Sequence, residues 1–489
     1  MRLAHKFKIA VVSISFLSVA GMRSWSEEAK ANATPVLETL VNFNLTDGAG
    51  PFGPLVQAPD GDFYGTTTAG GASDNGTIFK ITPGGTLTTL HSFDGKDGAS
   101  PFAGLVQATD GNFYGTTSAG GAGHGTVFKF SPSCRTLTTL HKFDGTDGDS
   151  PEGLVQAADG SLYGATNQGG TNFASCSNGC GTIFKITPGG TLTTLYNFCM
   201  QASCADGAVP NELVQSTDGN FYGPTLNGGT NNGGTVFKIT PAGKLTTLYS
   251  FCAQTNCTDG LGPDARLVQA TDGNFYGTTR LGGANTNSCP GLFGCGTVFK
   301  ITPCGRLTTL HSFDGADGQI PQSELVQATD GNLYGTTDGG SCPGQCGTVF
   351  KITLEGELTT LHTFDGSDGA FPRPLVQGTD TNFYGTTFGG GTHNNCNFGC
   401  GTVFSLSVGL GPFVETRPTS GKAGTTIEIL GNDLTSASSV TFNGTAANFD
   451  VMSGSEITAT VPVGATTGKV EVVTPSGTLS SNLVFRVTQ

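Results

Sequence analysis

Leu105-Val106-Gln107-Ala108-Thr109-Asp110-Gly111-Asn112-Phe113-Tyr114-Gly115-Thr116-Thr117 returns letter for letter at Leu267 to Thr279. Looser copies bring its Tyr-Gly step back at Tyr64, Tyr114, Tyr163, Tyr222, Tyr276, Tyr334 and Tyr384, so this one position holds seven of the nine tyrosines. Each copy passes through a Gly-rich stretch into a second block, such as Gly296-Thr297-Val298-Phe299-Lys300-Ile301. A third block follows, such as Leu307-Thr308-Thr309-Leu310-His311-Ser312-Phe313. Stretches rich in Val, Phe, Tyr, Thr and Ile, parted by turn residues, read as short strands. We label them A (LVQA), B (NFYGTT), C (GTVFKI) and D (LTTLHSF). Four strands in about 50 residues, repeated, match the period of propeller blades.

The spacings orient the strands. Nine positions separate the Leu of A from the Tyr of B in every unit, and 11 separate the Gly of C from the Leu of D, except for 12 in the second unit. From B to C the count runs from 11 to 20, and from D to the next A from 17 to 22. In an antiparallel meander the A–B and C–D turns share one end and the B–C and D–A loops the other. One face is thus tight turns, mostly Asp-Gly for A–B as at Asp110-Gly111, and the opposite face carries the variation. The chain opens on a lone D-type strand, Leu37 to Phe43, and its last unit stops after A (Leu375 to Gln377), B (Asn382 to Thr387) and C (Gly401 to Ser405). The expectation is an all-β chain whose seven-bladed β-propeller has four-stranded blades. The N-terminal strand completes the last blade and removes an open sheet edge.

Composition agrees. The 489 residues include 77 Gly and 33 Phe, with 23 Lys and Arg against 37 Asp and Glu. That is roughly twice the usual glycine and half the usual charge. Disordered chains are charge-rich and poor in aromatics, helices do not tolerate this much glycine, and the glycines lack the collagen period. After Leu406 the repeat ends. Alternating strands follow at Thr425 to Leu430, Ser439 to Phe442, Ile457 to Val461 and Lys469 to Val473, the pattern of a small immunoglobulin-like β-sandwich. The expected organisation is a leader at 1–33, the propeller at 34–406, a linker at 407–411 and the sandwich at 412–489.

Arg2, Lys6 and Lys8 precede the apolar run Ile9 to Ala20, the layout of a signal peptide too short for a permanent span. Small-residue cleavage sites stand at Ser18-Val19-Ala20 and Ala31-Asn32-Ala33. Cleavage at either leaves a charge of −17, from 20 basic against 37 acidic residues or 18 against 35. The expectation is an exported monomer, extracellular, at the cell surface or in the periplasm, with no transmembrane anchor in the mature chain. Twelve of the 14 cysteines form close pairs: Cys176/Cys180, Cys199/Cys204, Cys252/Cys257, Cys289/Cys295, Cys342/Cys346 and Cys396/Cys400. In an oxidising compartment these read as local disulfides, each worth about 2 kcal/mol because the loops are short. Zinc is the rival reading, but it wants a second Cys or His pair at set spacing, and no His pair follows. Four pairs fall in B–C loops and two in D–A loops; Cys134 and Cys304 are expected to be free.

The repeat resembles the GloVer-type bacterial tandem repeat over residues 37 to 406, on LVQATDGNFYGTT, GTVFKI and LTTLHSFDG. Its layout is similar to kelch- and NHL-type propellers in period only. The tail resembles an IPT/TIG domain on Pro418-Thr419-Ser420-Gly421, Ala423 to Ile427, Val440 to Gly444 and Ile457 to Pro462. The first resemblance implies an exported bacterial protein, the second a spacer or interaction module.

Chemistry needs unrepeated, convergent residues. His91, His141, His311 and His362 share a repeat position with Val41, Tyr196 and Tyr249, so that position is structural. His124 and His393 lie in B–C loops with no nucleophile beside them. Gln57, Gln107, Gln156, Gln215, Gln269, Gln327 and Gln377 recur on the innermost strand. They form either a polar ring at the channel that takes a ligand or ion, or hydrogen bonds between blades. The repeated Tyr-Gly steps read as packing between blades rather than as an aromatic collar. Asp-Gly-x-Asp-Gly strings, as at Asp94 to Gly98, Asp144 to Asp149 and Asp314 to Gly318, suit turns and leave calcium as a possible cofactor, though the full calcium-loop pattern is missing. The acidic charge and absence of basic clusters oppose nucleic acid. No catalytic residue is assigned. The first expectation is a non-catalytic binding or scaffold protein that presents the stiffened loop face to an extracellular polysaccharide or surface protein. The alternatives are a polysaccharide-active enzyme and a purely structural surface protein. A carboxylate pair meeting over the channel would favour the enzyme, and Glu152, Glu212, Asp264 and Asp338 are the unrepeated acids available.

Overall fold

Strand C supplies the reason each repeat folds. In Thr77–Ile81 the Thr, Ile and Phe are buried and only Lys80 is half-exposed, because strands B and D flank it and neighbouring sheets cover both faces. The computed structural model describes residues 34–488 apart from 158, 174, 286–287, 290–292, 341–345 and 394. The leader expected at 1–33 lies outside the described residues.

Seven antiparallel sheets, each with the order A–B–C–D, account for the described repeat region. In the first, Val56–Gln57 pairs with Phe63–Ala69, which pairs with Thr77–Ile81 and then Leu87–Ser92. The N-terminal strand Val36–Asn42 pairs antiparallel with Thr402–Ser407 and occupies the D place in the sheet of the last repeat. The Gly of each Tyr-Gly step makes room for the Phe of strand C: a Cβ at Gly65 would lie 2.7 Å from the Phe79 ring.

Sheets stack through aromatic rings. The Tyr of one repeat packs on the Phe that opens strand B of the next, as in Tyr64–Phe113 (4.4 Å), Tyr163–Phe221 (4.2 Å) and Tyr222–Phe275 (4.1 Å). Tyr384 of the last repeat meets Phe63 of the first at 4.0 Å. Contacts of this kind contribute about 0.5–1.5 kcal/mol each beyond area burial. At the tight-turn end, the Tyr hydroxyl donates to the Asp of the A–B turn, as Tyr114 to Asp110 at 2.8 Å, and Lys129 reaches the same carboxylate at 3.0 Å. This accounts for the repeated Asp, Tyr and Lys.

Strand A differs from the sequence expectation. It begins before LVQA, at Ala49–Pro51, Ala208–Pro210 and Ala370–Pro372 in three repeats, and runs unbroken as Asp149–Gln156 in the third repeat, with a register shift between Pro151 and Leu154. The residues between Pro and Leu, assigned from sequence to the D–A loop, thus belong to strand A, and in the third repeat they form a bulge in it. The residue before that Pro is left-handed in every repeat: Gly50, Ser100, Ser150, Val209, Gly262, Ile320 and Phe371 all have φ between 53° and 65°. For β-branched Val209 and Ile320 this is a strained conformation.

The C-terminal domain stacks two four-stranded sheets around Val414, Ile427, Ile429, Val440, Phe442, Ile457, Val470 and Phe485. It rests on the tight-turn end of the repeat region. Ser455 Oγ donates to the Pro59 carbonyl at 2.6 Å, and the Arg417 guanidinium to Gln107 Oε1 at 2.9 Å.

Candidate functional site

Laying the seven repeats over one another isolates three columns that do not repeat. The residue after the bulge Pro is Phe52, Phe102, Glu152, Asn211, Asp264, Gln322 and Arg373 in turn; the residue before the Leu of A is Pro54, Gly104, Gly153, Glu212, Arg266, Glu324 and Pro374. The third residue past the Gly of Tyr-Gly is Thr68, Ser118, Asn167, Leu226, Arg280, Asp338 and Phe388. Residues of these columns line a single cavity of about 390 Å³, with Phe52, Phe102, Ser118, Glu152, Asn167, Asn211, Glu212, Asp264, Arg266, Gln322, Glu324 and Arg373 in its wall. The chain enters strand A from the D–A loop, so the cavity lies at the end of the sheets where the B–C and D–A loops gather.

The wall has two characters. On one side Phe52 meets Phe102 edge-on at 5.1 Å and Phe388 at 5.9 Å, and the Arg373 guanidinium lies 4.1 Å from the Phe52 ring centre. The other side is acidic. Burial pushes Glu152 up to about 8, and the charges of Glu212 and Asp264 add to the shift. Asp264 is raised to about 6 by burial, against the pull of Arg280 and an Asn211 hydrogen bond. Glu212 is raised by burial and by Glu324, with Arg266 opposing. Each carboxyl is walled by protein yet keeps part of its surface open to the cavity.

Polar partners hold these groups in place. Asn167 Nδ2 donates to Glu152 Oε1, and Asn211 Nδ2 donates to Asp264 Oδ1 at 3.2 Å. Glu212 lies across the backbone of the previous repeat: a Cβ on Gly153 would stand 2.4 Å from its carboxyl carbon. Behind the wall Asp338 accepts from Gln322 Nε2 and pairs with Arg373 at 3.3 Å, with the two side chains 13% and 5% exposed. Arg266 pairs with Glu324 at 3.7 Å. Such an arrangement accepts hydrogen bonds from several directions, stacks an apolar face on Phe52 and Phe102, and holds protonated and ionised carboxyls side by side.

The Gloeobacter/Verrucomicrobia repeat matches residues 30–203, 170–404 and 285–450. This chain belongs to the Gloeobacter/Verrucomicrobia repeat family. The repeat protein also carries an IPT/TIG domain, matched over residues 414–487. A search of curated proteins finds no match. Among solved structures it is similar to an oligogalacturonate lyase from Vibrio parahaemolyticus, at 11% identity and a TM-score of 0.45 over 77% of this chain and 97% of that one. A gluconolactonase from Xanthomonas campestris aligns at 12% identity and a TM-score of 0.39, over 78% and 92%. TolB from Acinetobacter baumannii gives 13% identity and a TM-score of 0.36, over 64% and 63%. None of these likenesses carries an argument about activity.

The repeat protein brings Glu152, Glu212 and Asp264 into one cavity and sets Asp338 directly behind it. Glu324, Arg266, Arg373 and the phenylalanines were missed from sequence; reading the columns against one another would have found them. The glutamines lie at the other end of strand A. Gln156, Gln269, Gln327 and Gln377 accept the backbone N–H of Thr109, Thr217, Thr271 and Thr329 in the preceding repeat, and Gln57 accepts that of Thr379 at 3.0 Å. Gln107 Oε1 faces Arg417 instead, and Gln215 Nε2 donates to the Gly219 carbonyl. His91, His141, His311 and His362 each bond the second Asp of an Asp-Gly string, at 2.6–2.8 Å. The other oxygen of that Asp accepts the N–H of the first, as Asp97 from Asp94 at 2.9 Å. His124 bonds Asp149, and His393 meets Thr392.

Five disulfides join Cys176–Cys180, Cys199–Cys204, Cys252–Cys257, Cys289–Cys295 and Cys396–Cys400. The sixth expected pair, Cys342/Cys346, is not among them. Cys346 is buried beside Val349 and Phe364 and is disulfide-bonded, but Cys342 lies outside the described residues, so that pairing stays an expectation. Cys134 and Cys304 are free and exposed. Among the described residues no helix is long and apolar enough to cross a membrane.

Proposed function

We propose that this is an exported binding protein whose seven sheets close into a seven-bladed propeller, with a saccharide held in the central cavity of the variable face. The closure reading draws on the pairing of Val36–Asn42 with Thr402–Ser407 and on the seam contacts Tyr384–Phe63 and Thr379–Gln57. The domains run over 34–406 and 412–489, and the TIG domain serves as spacer at the opposite end.

The observation that carries the ligand reading is the convergence of the unrepeated columns. Most residues of each repeat are kept alike, while the positions facing one cavity differ from blade to blade. A ring that only had to pack would gain nothing from Phe, Glu, Asn, Asp, Gln and Arg at equivalent places. A cavity of about 390 Å³ is in the size range of small-ligand sites. Carboxylates and amides opposite an aromatic wall suit a molecule with many hydroxyls and one apolar face.

A second reading, hydrolysis of that saccharide, is favoured by one observation: Glu152 at about 8 stands near Asp264 at about 6. A protonated acid and an ionised base in one site are the pair that glycoside cleavage requires. Titrating the full chain and its Glu212→Gln variant with a saccharide panel, while assaying for reducing ends, tests both. Saturable binding lost in the variant supports the first reading, and released product the second. Binding to no saccharide overturns both.

A further inference from the structure

Two loops of the third repeat bring four sulfurs together. The Sγ atoms of Cys176, Cys180, Cys199 and Cys204 all lie within 4.8 Å of one another, joined as two local disulfides. A local staple needs no such company. Cys252–Cys257 closes the same D–A loop one repeat later and Cys396–Cys400 the B–C loop of the last repeat; among the described residues neither belongs to a comparable cluster. Only the third repeat carries cysteines both in its B–C loop and in the D–A loop that follows.

The approach of the two loops does not depend on the sulfurs. Val209 donates its N–H to the Cys180 carbonyl at 2.9 Å, and Asn172 Nδ2 donates to the Cys199 carbonyl. Cys180 and Cys199 are buried in a core with Ile183 and Phe198. Four thiols would therefore remain side by side if both disulfides were opened. Their spacings, C-x3-C and C-x4-C, fall within those of structural zinc sites. A tetrahedral ion with sulfur ligands at about 2.3 Å needs sulfurs about 3.8 Å apart, inside the 4.8 Å that already encloses all four; opening each disulfide lets its two sulfurs part to that distance. The sequence argument against zinc was that no His pair follows; the fold sets a second Cys pair beside the first.

We propose that Cys176, Cys180, Cys199 and Cys204, once reduced, form a tetrathiolate site for a soft or borderline divalent cation such as Zn²⁺. A phosphine reduces each disulfide by two electrons: water supplies the two thiol protons and its oxygen leaves as the phosphine oxide, so each S–S bond becomes two thiols; the ion then displaces the four thiol protons. Oxidised, each loop is stapled to itself. Reduced and metallated, the B–C loop is tied to the D–A loop, eight residues before Glu212.

The test uses the full chain, reduced anaerobically with a phosphine, freed of reductant and titrated with Co²⁺ as a spectroscopic probe, then with Zn²⁺. One Co²⁺ per chain with thiolate charge-transfer and tetrahedral ligand-field bands, displaced by Zn²⁺, is expected. In a parallel alkylation with mass mapping, Zn²⁺ should shield Cys176, Cys180, Cys199 and Cys204 while Cys252 and Cys257 react. Cys252→Ser should leave the bands intact and Cys199→Ser should abolish them. Absence of stoichiometric binding, or shielding that falls on other cysteines, overturns the proposal. The wild-type mapping decides the matter even if Cys199→Ser does not fold.

Discussion

Replacing Glu152 by Gln should make the propeller more stable in alkali and leave it nearly unchanged in acid. The folded protein holds the Glu152 proton up to about pH 8, whereas the unfolded chain releases it near 4.5. Between those values the unfolded state binds fewer protons than the native state, so stability falls as pH rises through that window. At about 1.4 kcal/mol per pH unit the cost reaches a ceiling of about 5 kcal/mol above pH 8, part of it relieved by water in the cavity. Glutamine removes the charge and keeps the oxygen that accepts from Asn167. The assay is guanidinium unfolding of wild type and variant from pH 4 to 9, following the propeller transition. The difference in favour of the variant should be close to zero at pH 4, grow through neutrality and level off above 8. A flat difference, or one that favours wild type in alkali, would refute the reading of Glu152 as a carboxyl starved of compensating charge.

Three further outcomes are expected. Arg373→Ala strands Asp338 without its cation and removes the ring contact with Phe52. Loss of a buried ion-pair partner costs about 3–5 kcal/mol, and the double variant with Asp338→Ala should recover part of it in the same unfolding assay. Gly153→Ala forces the Glu212 carboxylate off the backbone it lies across; saccharide affinity measured by calorimetry should drop about tenfold, or ~1.4 kcal/mol, with the melting temperature little changed. Gln57→Ala leaves the buried Thr379 N–H without an acceptor at about 1–3 kcal/mol, and hydrogen exchange should quicken first at the seam between the first and last repeats.

Much of the architecture was legible because repetition averages out ambiguity. Seven copies of Tyr-Gly, seven variants of Thr-Val-Phe-Lys-Ile and six copies of Leu-Thr-Thr-Leu identify strands B, C and D, and the lone strand at Leu37 announces its own partner by standing before any strand A. The IPT/TIG strands were readable from plain alternation, as in Thr426–Leu430 with Ile427 and Ile429 inward. The site was legible only in part. Glu152, Glu212, Asp264 and Asp338 stood out as unrepeated acids, but they come from different repeats, and their meeting depends on how the sheets are arranged. The bulge in strand A hid the rest. Its left-handed turn falls on residues as unlike as Gly50, Ser100, Val209 and Phe371, so no turn signature marks it and the segment reads as loop. Arg373 and Arg266 stand out only when the repeats are laid over one another, because a lone arginine in one repeat looks like an ordinary surface residue.

The central claim is that the positions varying between blades exist to hold a ligand at the centre of the ring. Its most direct test is a crystal structure of the full chain grown with the tightest-binding saccharide of the panel. The account predicts a sugar ring stacked on Phe52 and Phe102, with hydroxyls donating to Glu212 and Asp264. A saccharide found instead on the rim loops or on the IPT/TIG domain, with the cavity filled only by water, would contradict it.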